Sequence, residues 1–418
     1  VRLSREVPPY YENAFRTGDR SDPESARSAL INDPVVGHRR FGLVPENSLG
    51  PGDTNAPFDL LGFRNRAVPV VADVVAIGDS QTVGPNAGVD SNWPGRLRTF
   101  LGPRAPVVYN MSVGGWGGVQ YLPLLHPALA LRPRALVVAY YTGNDPVDAL
   151  HLAYDFEPWR DLRAGEHAPE RAPSAWPPRP EDAWPATFPD GLRLTFTPRT
   201  RLGANDRAYP GTADAYRILA ETARRIARGA LTAGVKPVFT ILPTKELAYA
   251  ARVRRDGLKP PDAYTHLIAD ETANVAGLAR AIQAIPGAVY VDAVGALQQA
   301  ALARPPLYPA SWDGHPLERG YAVIARALAP AVAPALPEPP ADGLLMETGP
   351  DPGRGIVVLV RHGGVWRFAS AEALRANGWD VDLKALPRRP QRDLAQLPFR
   401  GVISRADPAY FGPRAPSP

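Results

Sequence analysis

Between residues 71 and 330, short runs of β-type residues alternate with longer helical stretches, and this alternation constrains the fold more than any other feature. Val71–Ile77 reads as a buried strand that ends at Gly78, followed by Val107–Asn110, Ala135–Tyr141, Val235–Leu242 and Ala288–Asp292. Trp93–Leu101, Thr212–Ala233, Asp262–Ile285 and Pro316–Leu328 read as helices, the second of them closed by Gly234. Gly118–Leu131 has helical character but carries Pro123 and Pro127. Strand and helix in alternation predict an α/β fold, a five-stranded parallel sheet with helices on both faces. Such sheets bind ligands at the carboxyl ends of their strands, where the loops converge.

The flanks read differently. Residues 1–66 are polar and turn-rich and form an N-terminal extension expected to lie on the main domain, 67–330. Within that domain, 146–210 is rich in proline, holds Trp159, Trp176 and Trp184, and shows no clear period. It is too long for an ordinary connection, so it reads either as a lid or substrate wall or as a surface excursion without function. Residues 331–342 (AVAPALPEPPAD) read as a Pro-rich linker, and 343–418 as a small C-terminal module with β-type runs at Ile356–Arg361 and Val365–Phe368.

Composition excludes several classes. With 45% apolar and 21% charged residues the chain has the material for a packed core. The net charge is +5, yet only four residues are lysine (Lys236, Lys245, Lys259 and Lys384) and the arginines are scattered among acids, so no nucleic-acid partner is expected. There is no cysteine, which removes disulfides, thiolate metal sites and a cysteine nucleophile. His38, His126, His151, His167, His266 and His362 stand at no metal-ligand spacing, and no phosphate-cradling glycine loop follows a strand. Neither a metal nor another cofactor is therefore expected. No run of 18 apolar residues occurs and the first residues carry no signal-peptide core. The chain starts at Val1, so membrane anchoring is expected only if an N-terminal segment has been removed.

Four blocks carry chemistry, each just after a β run or before the last helix. Gly78-Asp79-Ser80 follows the first strand, where a serine at a sharp turn projects its hydroxyl above the sheet edge. Taken alone it also reads as a helix N-cap. Asp313-Gly314-His315-Pro316 supplies an imidazole able to take a serine proton and a carboxylate to hold its tautomer; alone it also reads as a helix start with a surface histidine. Asn144, in Tyr141-Thr142-Gly143-Asn144-Asp145, offers an amide to an oxyanion or makes an Asn-Asp turn. Asn110-Met111-Ser112-Val113-Gly114-Gly115 offers a backbone N–H or is a Gly-rich turn. Asp79 with Asp145 could form a glycosidase pair, but Asp79 is better used in tying down the nucleophile loop.

Together, GDS, NMSVGG, GND and the Asp/His pair resemble the SGNH (GDSL-type) hydrolase superfamily, in that family's order. The resemblance implies a flavodoxin-like three-layer sandwich. It also implies Ser80 as nucleophile and first oxyanion donor, Gly115 and Asn144 as further donors, His315 as base and Asp313 as its orienter. Two positions depart from the family pattern: Thr142 stands where a glycine is usual, and Trp312 where the aspartate is usual. Leu61-Gly62-Phe63-Arg64-Asn65 looks like a segment found ahead of GDS in many bacterial members, with no role assigned. Residues 343–404 are similar, more weakly, to a short module of bacterial surface proteins. The implied activity is a serine esterase acting on acyl (acetyl) esters of a carbohydrate or small molecule, through an acyl-enzyme. A polysaccharide O-acyltransferase using the same residues and a non-catalytic glycan-binding protein are the alternatives. The resemblance further implies a bacterial, extracytoplasmic (periplasmic or secreted) setting. The oligomeric state is not legible.

Overall fold

The computed structural model describes residues 30–33, 37–40, 59, 61–102, 106–173, 178–338, 342–349, 355–361, 363–379, 381–395 and 397–410. The N-terminal extension expected over 1–66 lies largely outside the described residues. Its described part includes two antiparallel strands, β1 (Leu30–Asp33) and β2 (Gly37–Arg40). The chain divides into two compact units, Val1–Phe100 with Val107–Ala335, and Leu101–Pro106 with Leu336–Pro418.

The first unit is built on β3 (Val74–Gly78), β4 (Val108–Ser112), β5 (Ala135–Tyr141), β8 (Lys236–Leu242) and β9 (Val289–Val291). They form one parallel sheet in the order β4-β3-β5-β8-β9. All five residues of β3 and all seven of β5 are buried, which explains their apolar runs, since both faces of these strands are covered. On one face Val75, Ile77, Leu136, Val138, Tyr140, Phe239 and Ile241 join a single core with Ile218, Leu219, Ala223 and Ile226. The latter four recur at helical spacing on the long helix Pro210–Thr232, which Pro210 opens with its preset φ. Against the other face, helix Trp93–Phe100 packs on helix Glu318–Val332, and helix Ala293–Ala301 joins them beside β8. The result is a three-layer α/β sandwich with flavodoxin-like strand order, as the resemblance implies.

The segment 146–210 is more regular than its composition suggested. It opens within helix Asp145–Asp155, whose buried Ala149, Leu150, Leu152 and Ala153 form a short apolar stripe. It continues into a hairpin, β6 (Trp184–Thr187) and β7 (Arg193–Phe196), and helix Pro198–Asn205. Its tryptophans serve packing: Trp184 lies 5.3 Å from the Phe196 ring and 4.8 Å from Tyr264, and Trp159 packs against the main core. Trp176 lies outside the described residues. The linker expected over 331–342 is also partly helical, because helix Glu318–Val332 runs on into a 3-10 turn at Ala333–Ala335.

The second unit contains a five-stranded mixed sheet in the order β13-β10-β11-β12-β14. The strands are β10 (Gly343–Thr348), β11 (Gly355–Arg361), β12 (Gly364–Phe368), β13 (Arg388–Pro390) and β14 (Phe399–Ile403). Sequence reading identified only β11 and β12. Small cores sit on its two faces, one around Leu344, Leu359 and Phe368, the other around Leu345, Val358 and Val360. The buried Glu347 carboxylate accepts both Nε and Nη2 of Arg367, at 3.0 and 2.7 Å.

Candidate active site

At the carboxyl end of β3 the chain turns at Gly78 and Asp79 into the short helix Ser80–Val83. Asp79 caps that helix, accepting the Gln81 backbone N–H at 2.9 Å, so Ser80 is presented at the helix start. Gly78 has no substitute here, since a Cβ would stand 2.1 Å from Thr82 Oγ1 and 3.2 Å from the Ala139 carbonyl. Gly78→Ala is accordingly expected to destabilise the fold by about 2 kcal/mol or more, read from denaturant midpoints.

Ser80 Oγ lies 2.8 Å from His315 Nε2, and His315 Nδ1 lies 2.6 Å from Asp313 Oδ1. The sheet thus brings together two segments 235 residues apart. The Asp313 carboxylate further accepts the His315 backbone N–H at 3.0 Å and Asn86 Nδ2 at 2.7 Å. Burial pushes its pKa up, but the His315 hydrogen bond and charge and the two other donors outweigh this and hold it to about 2. Asp313 is therefore ionised at any pH at which the protein is assayed.

Two residues that position this loop were not singled out from sequence. Asn86 donates to both Asp313 and, at 3.0 Å, the His315 carbonyl, so one amide fixes both ends of the Asp-Gly-His turn. Lys245 donates to the carbonyls of Pro309 and Ser311, at 2.7 and 2.6 Å, just ahead of that turn; burial lowers its pKa to about 8. Neither carries a local signal, because each acts through a contact far away in sequence. Arg64, in the segment to which no role was assigned, is fully buried and donates to the carbonyls of Val83, Gly84 and Ala87. It clamps the loop that carries Asn86.

The other two expected donors line the same cavity. Gly115, at φ +76, is exposed to it, and the adjacent Gly114 runs so close to Ser80 that a Cβ there would be 3.6 Å from the Ser80 Cβ. Asn144 also faces the cavity and donates from Nδ2 to Asp148 Oδ2 at 2.7 Å, with a long contact of 3.5 Å to Asp145. The departures around it have physical reasons. Thr142 donates to the buried Glu271 at 2.5 Å and so pins the end of β5. Gly143 leaves room for the Tyr141 ring, which a Cβ would meet at 2.4 Å.

Asp79 and Asp145 are fully buried, which rules out their facing substrate as a glycosidase pair. Burial pushes Asp79 up to about 7 and Asp145 upward as well, with the Asp79 charge adding to the shift of Asp145 and the Asp148 charge adding to both. Asp148 is pushed up to about 6, again by burial, with the Asn144 hydrogen bond acting against it. A carboxyl with a raised folded-state pKa stabilises fully below its unfolded value and loses that contribution as pH rises through the folded one. Asp148→Asn is therefore expected to gain stability relative to wild type between pH 4 and 7, by an amount of order 1–2 kcal/mol, measured by urea unfolding across that range.

The cavity has a volume of about 910 Å³ and is lined by Ser80, Gly115, Asn144 and His315 together with residues 146–148, 150, 168–172, 200, 201, 203 and 204 of the long segment. That segment forms one wall of the site. Among the described residues Asp206, His266 and Asp270 are the one group with metal-ligand geometry. His266 already pairs with both carboxylates, at 3.5 and 3.2 Å, and none of the three lines the cavity. No helix among the described residues is long and apolar enough to cross a membrane.

The parallel sheet with its β4-β3-β5-β8-β9 order, and a cleft over the carboxyl ends of its strands, define a flavodoxin-like α/β protein. No protein-family model and no curated protein sequence matches the chain. Solved structures similar to it include TesA, at 14% identity over 63% of this chain and 99% of that one, with a TM-score of 0.35. Another is a GDSL-like lipase from Bacteroides thetaiotaomicron, at 16% identity over 63% and 88%, TM-score 0.31. A third is Axe2, an acetylxylan esterase from Geobacillus stearothermophilus, at 13% identity over 62% and 94%, TM-score 0.34.

Proposed function

We propose that this protein is a serine ester hydrolase of the SGNH type, acting on short acyl esters of a carbohydrate-sized alcohol. The observation that carries this reading is the continuous chain of contacts from Ser80 Oγ through His315 to Asp313, at 2.8 and 2.6 Å, open to a cavity. With Asp313 ionised, His315 Nδ1 keeps its hydrogen and Nε2 is the acceptor for the Ser80 proton. Ser80 Oγ attacks the ester carbonyl carbon while His315 takes that proton. The resulting oxyanion rests on the backbone N–H groups of Ser80 and Gly115 and on the Asn144 amide hydrogen that Asp148 does not hold. Collapse breaks the bond to the alcohol oxygen, which leaves with the proton from His315. Water then enters and attacks the acyl carbon as it gives its proton to His315, and His315 returns that proton to Ser80 Oγ as the bond to the acid breaks. The cavity volume of about 910 Å³ supports a sugar-sized alcohol with a short acyl chain.

A fluorophosphonate probe tests this directly. Intact-mass and peptide analysis is expected to show one adduct, on Ser80, and a short-chain nitrophenyl ester to be hydrolysed. Hydrolysis with no adduct on Ser80 overturns the assignment. Asn144→Ala is expected to lower kcat by about 10²–10³-fold with KM little changed, as for loss of one oxyanion donor. Asn86→Ala, which loosens Asp313 and the His315 carbonyl together, is expected to lower kcat by about 10–100-fold in the same assay.

A further inference from the structure

The cavity wall contains a cation that the proposed reaction does not use. Arg201, on helix Pro198–Asn205, is 8% exposed and lines the cavity beside His315. Its Nε has no hydrogen-bond partner, and no described carboxylate lies within ion-pair distance of its guanidinium. Beside it the Tyr141 hydroxyl, 2% exposed as a residue, is likewise buried without a hydrogen-bond partner. Both groups converge on Gly314: a Cβ on that residue would lie 2.8 Å from Arg201 Nη2 and 3.2 Å from the Tyr141 hydroxyl. A glycine is needed there to leave the two groups their place.

Such an arrangement is costly unless something completes it, because a buried guanidinium demands a counter-charge and hydrogen-bond acceptors. Glu246, Glu271 and Asp313 supply charge that holds the Arg201 pKa up against burial, but none of them accepts a hydrogen bond from its guanidinium. Glu271 accepts from Thr142 Oγ1, Thr244 N and Thr244 Oγ1, and Glu246 Oε1 from Thr197 N. Glu246 Oε2 has no partner of its own, yet it makes no ion pair with Arg201. Asp313 is taken up by His315 and Asn86. An acceptor entering from the cavity, which Arg201 and Tyr141 both line, would complete the arrangement.

We infer that Arg201 and the Tyr141 hydroxyl form a carboxylate-binding subsite, and that the protein acts on esters whose alcohol portion carries a carboxylate, an O-acylated uronic acid being the type. The side of the ester follows from the mechanism. The alcohol departs toward His315, which protonates it, and the subsite abuts Gly314, the residue next to His315; of the oxyanion donors, Gly115 belongs to another loop, and Asn144 follows Tyr141 at the end of β5. This inference rests on the hydrolase reading given above, and it adds the substrate class.

The test compares an acetylated methyl glucuronoside with its uncharged carboxamide, using the full-length protein. Wild type is expected to prefer the acid by at least about 10-fold in kcat/KM, chiefly through KM, as a charge-assisted contact gives. Arg201→Gln is expected to lower that preference by at least about 10-fold, and Arg201→Lys to retain part of it. Tyr141→Phe, which removes one oxygen and keeps the ring, is expected to lower it by about 3–10-fold, and serves where the arginine variants fold poorly. Equal rates on acid and carboxamide by the wild type overturn the subsite, as does a preference that survives both substitutions. Its failure is separable from that of the hydrolase reading: a fluorophosphonate adduct on Ser80 with no discrimination between the two substrates sinks only the subsite. Absence of both adduct and ester turnover sinks the hydrolase reading and the subsite with it.

Discussion

Alanine at position 80 is expected to lower kcat for a short-chain ester by about 10⁴-fold or more, and alanine at position 315 by a similar factor. The Ser80 hydroxyl touches two groups, His315 Nε2 at 2.8 Å and Asp79 Oδ2 at 3.3 Å. The first activates it; the second, long and to a carboxyl that burial raises to about 7, adds little to stability. Ser80→Ala is therefore expected to keep its unfolding midpoint close to wild type while losing the fluorophosphonate adduct. The double variant Ser80→Ala/His315→Ala is expected to be no worse than either single one, because the two side chains act as one unit and removal of either ends the same step. Independent, multiplying losses in steady-state assays would mean that the two groups do not share a proton, and equal rates in wild type and Ser80→Ala would remove Ser80 from the mechanism.

The second large effect is on stability. Arg64→Ala is expected to cost at least about 3 kcal/mol by urea unfolding, since it strips charge-assisted donors from three buried carbonyls at once. Those carbonyls belong to the buried residues Val83, Gly84 and Ala87, where water is a poor replacement for a guanidinium in its fork geometry. Lysine at 64 is expected to recover only part of the loss, being a compact point charge without that fork. The same change has a catalytic consequence, because the clamped loop carries Asn86 and through it Asp313. A fall in kcat larger than that of Asn86→Ala alone, measured on the folded fraction, is the expected signature. A stability change within about 0.5 kcal/mol, the range of an ordinary surface substitution, would show that the clamp carries no load.

How much of this was legible depends on the range of the interaction. The core strands were readable because each is a short apolar run bounded by breakers: β5 spans Ala135–Tyr141 in both the sequence reading and the structure. The helix at 145–155 was missed although Ala149, Leu150, Leu152 and Ala153 are spaced for it, because Pro146 and the acidic Asp145 and Asp148 at its start lowered its apparent regularity. The hairpin of β6 and β7 was missed for a different reason. Its aromatic residues gain their burial from Tyr264 and Tyr249 on distant helices, and nothing within the hairpin announces that.

The same division holds for the candidate site. Ser80, Asp313, His315, Asn144 and Gly115 stand out because the chemistry needs those residue types beside turns. Asn86, Lys245, Arg64 and Arg201 do not, since an asparagine, a lysine or an arginine in a loop or helix is ordinary until its partner is known.

From the sequence alone came the α/β alternation, the strands of the parallel sheet and the turn chemistry that presents each candidate group at a strand end. Only the tertiary structure decided that the imidazole meets the hydroxyl, that a wall of the cavity is made by the long segment after β5, and that a buried guanidinium lies there with its Nε unbonded. The reason is physical: strand and turn preferences are set by neighbours a few residues apart, whereas a contact across 235 residues exists only once the sheet has brought its strand ends to one edge.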